Sequence, residues 1–358
     1  MAHELELTMV KGNEALGEAA IRAGCRFFFG YPITPQSELP AYMSRRMPEV
    51  QGTYLQAESE VAAVNMVLGA AAAGVRVMTS SSSPGYSLKQ EGISYMIGSQ
   101  LPAVVVNVMR GGPGLGNIQP AQGDYWQMVK GGGHGDYRMI SLAPSTVQEL
   151  VDVTVLAFEL ADKYQNPVGI LADGLLGQTM EPVRFPELKQ DPGPDTKPWA
   201  LTGCKGRGKR IHTSLELSPE GLEKHNIKLQ AKFKTMECEV RFEEYKCDDA
   251  ELVVVAYGTA ARVARAAVDA ARQMGLKVGL FRPITLWPFP SEALAGLVDR
   301  GITRFLDVEM SAGQMVEDVQ LAVLGRAKVD FYGRTGGIVP TPREILNEIQ
   351  KAMGGEAK

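Results

Sequence analysis

The chain is poor in cysteine. Four occur in 358 residues, Cys25, Cys204, Cys238 and Cys247, and no two form a C-x-x-C pair. Iron–sulfur clusters and structural zinc sites draw on several thiolates in short-spaced runs, so this chain is not expected to hold a four-cysteine cluster. Long apolar runs are also missing. The longest, such as Leu101 to Val108, fall well short of the roughly 20 residues that cross a bilayer. The first residues, MAHELELTMVKGNEA, carry no apolar h-region and no cleavage site, which argues for a cytoplasmic protein. Nor does charge of one sign dominate. Lys and Arg number 37 against 41 Asp and Glu, a formal charge of −4, so neither nucleic acid nor an anionic membrane is an expected partner.

What is present is the texture of an α/β protein. At this length two domains are the default. Glu14 to Gly24 reads as a helix, with Leu16, Ala19, Ala20 and Ala23 on one face and Gly24 as its stop. A strand at Arg26 to Phe29, a helix at Pro35 to Met47, a strand at Thr53 to Gln56 and an Ala-rich helix at Glu58 to Ala73 follow. Val75 to Thr79, Ala103 to Met109 and Val168 to Leu171 read as further strands, with a short one near Met139 to Leu142 and helices at 86–98 and 145–164. Near-continuous apolar strands alternating with helices predict a parallel sheet with helices on both faces. Residues 1–180 are therefore expected as one domain. Between 181 and 249 five prolines precede the basic stretch Lys205, Arg207, Lys209 and Arg210, which reads as a linker or insertion with a solvated surface. From Ala250 the alternation returns, and 250–358 is expected as a second, smaller α/β domain. Its last helix starts with Thr341 as N-cap, Pro342 at N1 and Glu344 at N3, a capping box.

Three blocks stand at strand ends, where open α/β sheets place ligands. Tyr31-Pro32-Ile33-Thr34-Pro35-Gln36-Ser37-Glu38 is braced by two prolines, and Thr34 or Ser37 either caps the next helix or offers a hydroxyl to a ligand. Glu58-Ser59-Glu60 opens the Ala-rich helix. Glu60 either charges the helix N-terminus or points, beside Val61-Ala62-Ala63, into a cavity where it shares a proton with a ligand nitrogen. Arg110 to Asp136 holds nine glycines in 27 residues, more than turns require. Its pieces GGPGLG and GGGHGD lack nucleotide-loop spacing. Arg110 either forks onto a carboxylate or pairs with Asp124 or Asp136. Ser80 to Ser83 with Pro84-Gly85 line a pocket or cap a helix, and His134 reads as structural or surface.

Taken together, YPITP (Tyr31 to Pro35), ESEVAA with Gly69 nine residues after Glu60, and the Gly-rich loop resemble the alpha-type subunit of 2-oxoacid:ferredoxin oxidoreductases over almost the whole chain. The resemblance implies a thiamine-diphosphate-binding fold of the pyrimidine-domain kind, followed by a transketolase C-terminal-like domain. It implies Glu60 as the carboxylate on the aminopyrimidine, with Glu58 as the fallback. Thr34 and Arg110 match positions that bind the substrate's carboxyl and keto groups, and Pro32 and Ile33 lie against the cofactor. YPITPQSE, TSSSSPG and RGGPGLG…KGGGHGD look most like the branched-chain branch, which oxidises 2-oxoisovalerate (3-methyl-2-oxobutanoate). The 2-oxoglutarate and pyruvate forms usually carry Ser where Gln36 stands, and a 2-oxoglutarate enzyme needs a second cation, for which Lys130 or Arg138 are the candidates.

Thiamine enzymes hold the diphosphate and Mg²⁺ on a Gly-Asp-Gly motif with a following Asn. Here the nearest match is Ala172-Asp173-Gly174, and no Asn occurs between Asn166 and Asn226. The resemblance therefore implies that the diphosphate site and Mg²⁺ come from a beta-type subunit and the 4Fe-4S clusters from a ferredoxin-like subunit, with a gamma-type subunit alongside. Coenzyme A takes the acyl group and ferredoxin the electrons. The competing readings are pyruvate or 2-oxoglutarate as substrate, half of a non-oxidative 2-oxoacid decarboxylase, and a non-catalytic assembly paralogue.

Overall fold

A computed structural model describes residues 7–190 and 193–354. The first few residues, on which the argument against secretion rests in part, lie outside the described residues. In chain order the elements are β1 (Leu7–Lys11), α1 (Gly12–Arg22), β2 (Phe27–Gly30), α2 (Glu38–Glu49), β3 (Thr53–Gln56), α3 (Glu60–Ala72), β4 (Val77–Ser81), α4 (Pro84–Leu88), α5 (Gln90–Gly98) and β5 (Val104–Met109). Then come β6 (Ile140–Leu142), α6 (Val147–Tyr164), β7 (Val168–Asp173), α7 (Gly174–Gln178), β8 (Met180–Arg184), α8 (Pro219–Met236), β9 (Phe242–Tyr245), β10 (Leu252–Val255) and α9 (Gly258–Gln273). The chain closes with β11 (Val278–Pro283), β12 (Thr285–Trp287), α10 (Ser291–Asp299), β13 (Arg304–Glu309), α11 (Met315–Val323), β14 (Lys328–Gly333) and α12 (Pro342–Ala352).

The main sheet has the order β12-β6-β7-β5-β4-β2-β3, parallel throughout except for β12, which runs antiparallel to β6. Every residue of β4, β5 and β7 is buried, so both faces are covered, as uninterrupted apolar strands predict. The second sheet, β14-β13-β10-β11-β9, is parallel apart from β9. Alternation along β10 couples the two halves. Leu252 and Val254 face a core shared with α9 and α12, whereas Val253 and Val255 belong to the core of the main sheet.

The helix expected from Glu58 begins at Glu60, because Ser59 adopts extended backbone (φ −161°, ψ 165°) and caps it. The helix expected at 86–98 is two helices, α4 and α5, meeting at Lys89. The expected capping box at Thr341 and Glu344 is formed. Among the described residues of 181–249, those before Ser218 are irregular apart from β8 and one short turn of 3₁₀ helix, but α8 is an 18-residue helix burying Leu229, Phe233 and Met236, and β9 joins the second sheet. β12 returns from the second half to the edge of the main sheet.

Candidate active site at the carboxyl edge of the main sheet

Because β2, β3, β4 and β5 run parallel, the loops 31–37, 57–59, 82–83 and 110–126 leave the same edge. Three of them carry the blocks singled out in the sequence. The Ser59 hydroxyl accepts the Ala62 N–H at 3.2 Å, which makes Glu60 the first residue of α3. Glu60 is 5% exposed, and its Oε1 accepts a hydrogen bond from Ser81 Oγ at 3.3 Å. A Cβ on Gly85 would stand 2.2 Å from both Glu60 Oε1 and Ser81 Oγ, so only glycine lets α4 approach this closely. Glu58 precedes the helix and is exposed, which corrects its expected place on a helix face.

Arg110 follows β5 and is 8% exposed. Its guanidinium pairs with neither Asp124 nor Asp136; it donates to the carbonyls of Thr34 and Leu115, both at 3.0 Å, and Nε is buried without a partner. The first and third blocks therefore meet. Thr34 is exposed, and the Thr34–Pro35 peptide is cis. Ser37 makes no side-chain cap, which removes one of the alternatives for this loop. Pro32 is exposed and Ile33 half-buried on the same loop. Gln36 is buried, with Oε1 accepting from Ser80 Oγ at 2.5 Å and Nε2 unpartnered.

Of the group that holds these loops, Ser83 and Asp124 were expected to line a pocket, cap a helix or pair with Arg110, and Asn107 was not singled out. Ser83 sits at φ +33°, strained for a residue with a side chain. Three contacts hold it there: its N–H donates to Asn107 Oδ1 at 2.9 Å, its hydroxyl donates to Asp124 Oδ2 at 2.5 Å, and the Arg110 N–H donates to its oxygen at 3.0 Å. Burial pushes the Asp124 carboxyl up, against the opposing hydrogen bonds from Ser83 and Asn107. The sequence signal for Asn107 was a lone Asn inside the apolar β5.

The second half buttresses the Gly-rich loop. Gln122 Nε2 donates to the Tyr257 carbonyl and its Oε1 accepts from Met310 N–H, both at 2.9 Å, while Asn117 donates to the Gly336 carbonyl at 2.9 Å. Gly116, at φ +60°, passes so close to the Gly111 carbonyl that a Cβ would overlap it. Between the halves lies a cleft of about 680 Å³ whose lining includes Arg110, Gly112, Asp124, Ser311 and Thr335. A second cleft of about 700 Å³, lined by Lys130, Arg138 and Trp287, gathers none of the residues above, and Lys130 is paired with Asp318. His134 is exposed. Asp173, centre of the nearest match to a diphosphate motif, caps α7 by accepting from Leu175 and Leu176 N–H at 3.0 and 3.1 Å. Cys25 and Cys247 are buried, and Cys204 and Cys238 exposed.

Residues 18–243 match the family described as pyruvate flavodoxin/ferredoxin oxidoreductase, thiamine diphosphate-binding, and residues 250–345 match pyruvate:ferredoxin oxidoreductase core domain II. The chain belongs to this oxidoreductase family. It is 56% identical over 347 residues to ketoisovalerate oxidoreductase subunit VorB of Methanothermobacter marburgensis, covering 97% of this chain and 98% of that one. It is 36% identical over 370 residues to 2-oxoglutarate synthase subunit KorA of Methanothermobacter thermautotrophicus, covering 96% and 98%. Among solved structures, a 2-oxoglutarate:ferredoxin oxidoreductase from Magnetococcus marinus with 2-oxoglutarate, coenzyme A and succinyl-CoA bound superposes with a TM-score of 0.84 at 27% identity, covering 98% of this chain and 66% of that one. A split-gene transketolase matches with a TM-score of 0.60 at 15% identity, a likeness of fold alone. The expected fold class and the alpha-type 2-oxoacid:ferredoxin oxidoreductase assignment are both borne out. In chemistry the residues fit the aminopyrimidine of the family's cofactor: a buried carboxylate, Glu60, and two buried N–H groups without a partner, Gln36 Nε2 and Arg110 Nε, stand on segments that leave the same edge of the sheet.

Proposed function

We propose that this chain supplies the pyrimidine side of a thiamine diphosphate site in a complex that oxidatively decarboxylates 2-oxoisovalerate, delivering the acyl group to coenzyme A and electrons to ferredoxin. The observation that carries the reading is the contrast between two carboxylates. Glu60 is buried against Ser81 and Gly85 at the sheet's ligand edge, and Glu58 faces solvent. Thiamine diphosphate, when bound, supplies the electron sink for loss of the substrate's carboxyl group. In this reading Glu60 holds a proton at the pyrimidine nitrogen, and Pro32 and Ile33 wall the ring. Arg110, already fixed on the Thr34 carbonyl, turns its free N–H groups to the substrate with the Thr34 hydroxyl.

Asp173 is committed to capping α7, which supports a diphosphate and Mg²⁺ site on a beta-type partner; the 4Fe-4S clusters are assigned to a ferredoxin-like partner, with a gamma-type subunit completing the complex. The substrate choice rests on the higher identity to a ketoisovalerate oxidoreductase subunit than to a 2-oxoglutarate synthase subunit. It is also supported by Lys130 and Arg138, the cations weighed for a distal carboxylate, which line the other cleft. The test is substitution in the assembled complex. Glu60→Gln abolishes turnover while assembly is retained, and Glu58→Gln leaves it near normal. The reverse pattern moves the role to Glu58.

A further inference from the structure

The site contains a charge that the proposed chemistry does not use. Lys89, at the junction of α4 and α5, has no exposed surface, and its ammonium has one hydrogen-bond partner among the described residues, Thr79 Oγ1 at 3.0 Å. Thr79 and Ser81 are two residues apart on β4 and therefore project from the same face. One hydroxyl holds Lys89 and the other holds Glu60, so strand geometry sets the two opposite charges side by side, about 7 Å apart at their anchor points. No direct ion pair closes between them. A lysine in this position is costly, because a buried ammonium loses its hydration and a methionine would fill the same volume without that loss.

We propose that Lys89 is a positioning residue for Glu60, providing the buried positive charge against which the Glu60 carboxylate is held at the cofactor edge. The inference rests on the reading of Glu60 given above. Burial pushes the Lys89 ammonium down to about 8, and Glu60, from α3, is the charged group that acts in the opposite direction. The other elements packed here bring few competing charges. β4 presents the neutral Thr79, and the nearby phenols of Tyr86 and Tyr137 stay protonated because burial pushes both up. Asp124, from the loop after β5, acts on the Tyr86 phenol. As pH rises through about 8, Lys89 loses its proton and the Glu60 carboxylate loses its counter-charge, so turnover falls on the alkaline side.

The experiment compares the wild-type complex with complexes carrying Lys89→Met, Thr79→Val and Glu60→Gln. It reads kcat and KM for 2-oxoisovalerate from pH 6 to 9.5, together with titration calorimetry of thiamine diphosphate into the cofactor-free complex. Lys89→Met lowers kcat about tenfold or more with little change in the KM for the 2-oxoacid, weakens cofactor binding, and removes the alkaline limb near pH 8. Thr79→Val keeps the charge but frees it, and shifts that limb. If Lys89→Met does not assemble, Thr79→Val decides on the same readouts. Wild-type kcat, cofactor affinity and pH profile in these variants, with Glu60→Gln inactive, overturn the role of Lys89 alone. An active Glu60→Gln complex overturns the reading of Glu60 and the inference with it.

Discussion

At the scale of residues, the site depends on small groups placed where larger ones would not fit. Gly85 is the clearest case. The Glu60 carboxylate occupies the space where its side chain would be, so Gly85→Ala must displace that oxygen or the helix carrying residue 85. Misplacing a catalytic group by about an ångström costs on the order of 100-fold in rate. Gly85→Ala is therefore expected to assemble normally and to lose about that much turnover; near-wild-type kinetics would mean that the carboxylate position is not critical. Ser83 makes the same point through strain. A residue at φ +33° costs on the order of 1–3 kcal/mol and persists because Asn107, Arg110 and Asp124 all hold it. The sequence marks the run Ser80 to Ser83 without distinguishing Ser83 within it, and Lys89 is a lysine in a segment that reads as one helix.

At the scale of elements, what was legible followed periodicity. The fully buried β4, β5 and β7 are seen in VMTSS, VVVNVM and VGILAD, and the last helix in its capping box. The loop motifs were legible through resemblance, and the meeting of Arg110 with Thr34 is a contact across 76 positions that no local pattern encodes. α8 was missed although Ser218-Pro219 is a good start and Leu229, Phe233 and Met236 form a helical stripe. The proline-rich, basic stretch before it dominates the composition of 181–249. β1 and β8 were missed for another reason: five residues each, mostly exposed or half-buried, they are stabilised by pairing with each other across the chain. The packing of α8 is testable. Phe233 is 3% exposed in the core, so Phe233→Ala should destabilise the protein by about 3–5 kcal/mol. Hydrogen exchange would show faster opening of 219–236, and unchanged exchange would mean that α8 does not depend on this contact.

At the scale of the molecule, the two sheets share one core through Val253, Val255 and Phe305, and β12 reaches back to the main sheet. The Gly-rich loop is thereby pinned between the halves at Asn117 and Gln122, with Arg110 at its root. Asp173, the centre of the nearest match to a diphosphate motif, is used as a helix cap, which is consistent with the half-site proposed above. The most direct measurement is viologen-linked oxidation of 2-oxoisovalerate, pyruvate and 2-oxoglutarate with coenzyme A and thiamine diphosphate, for this chain alone and co-expressed with its partners. Turnover confined to the complex and fastest with 2-oxoisovalerate is the predicted result. Turnover by this chain alone would contradict the half-site account, and a clear preference for 2-oxoglutarate would contradict the substrate assignment.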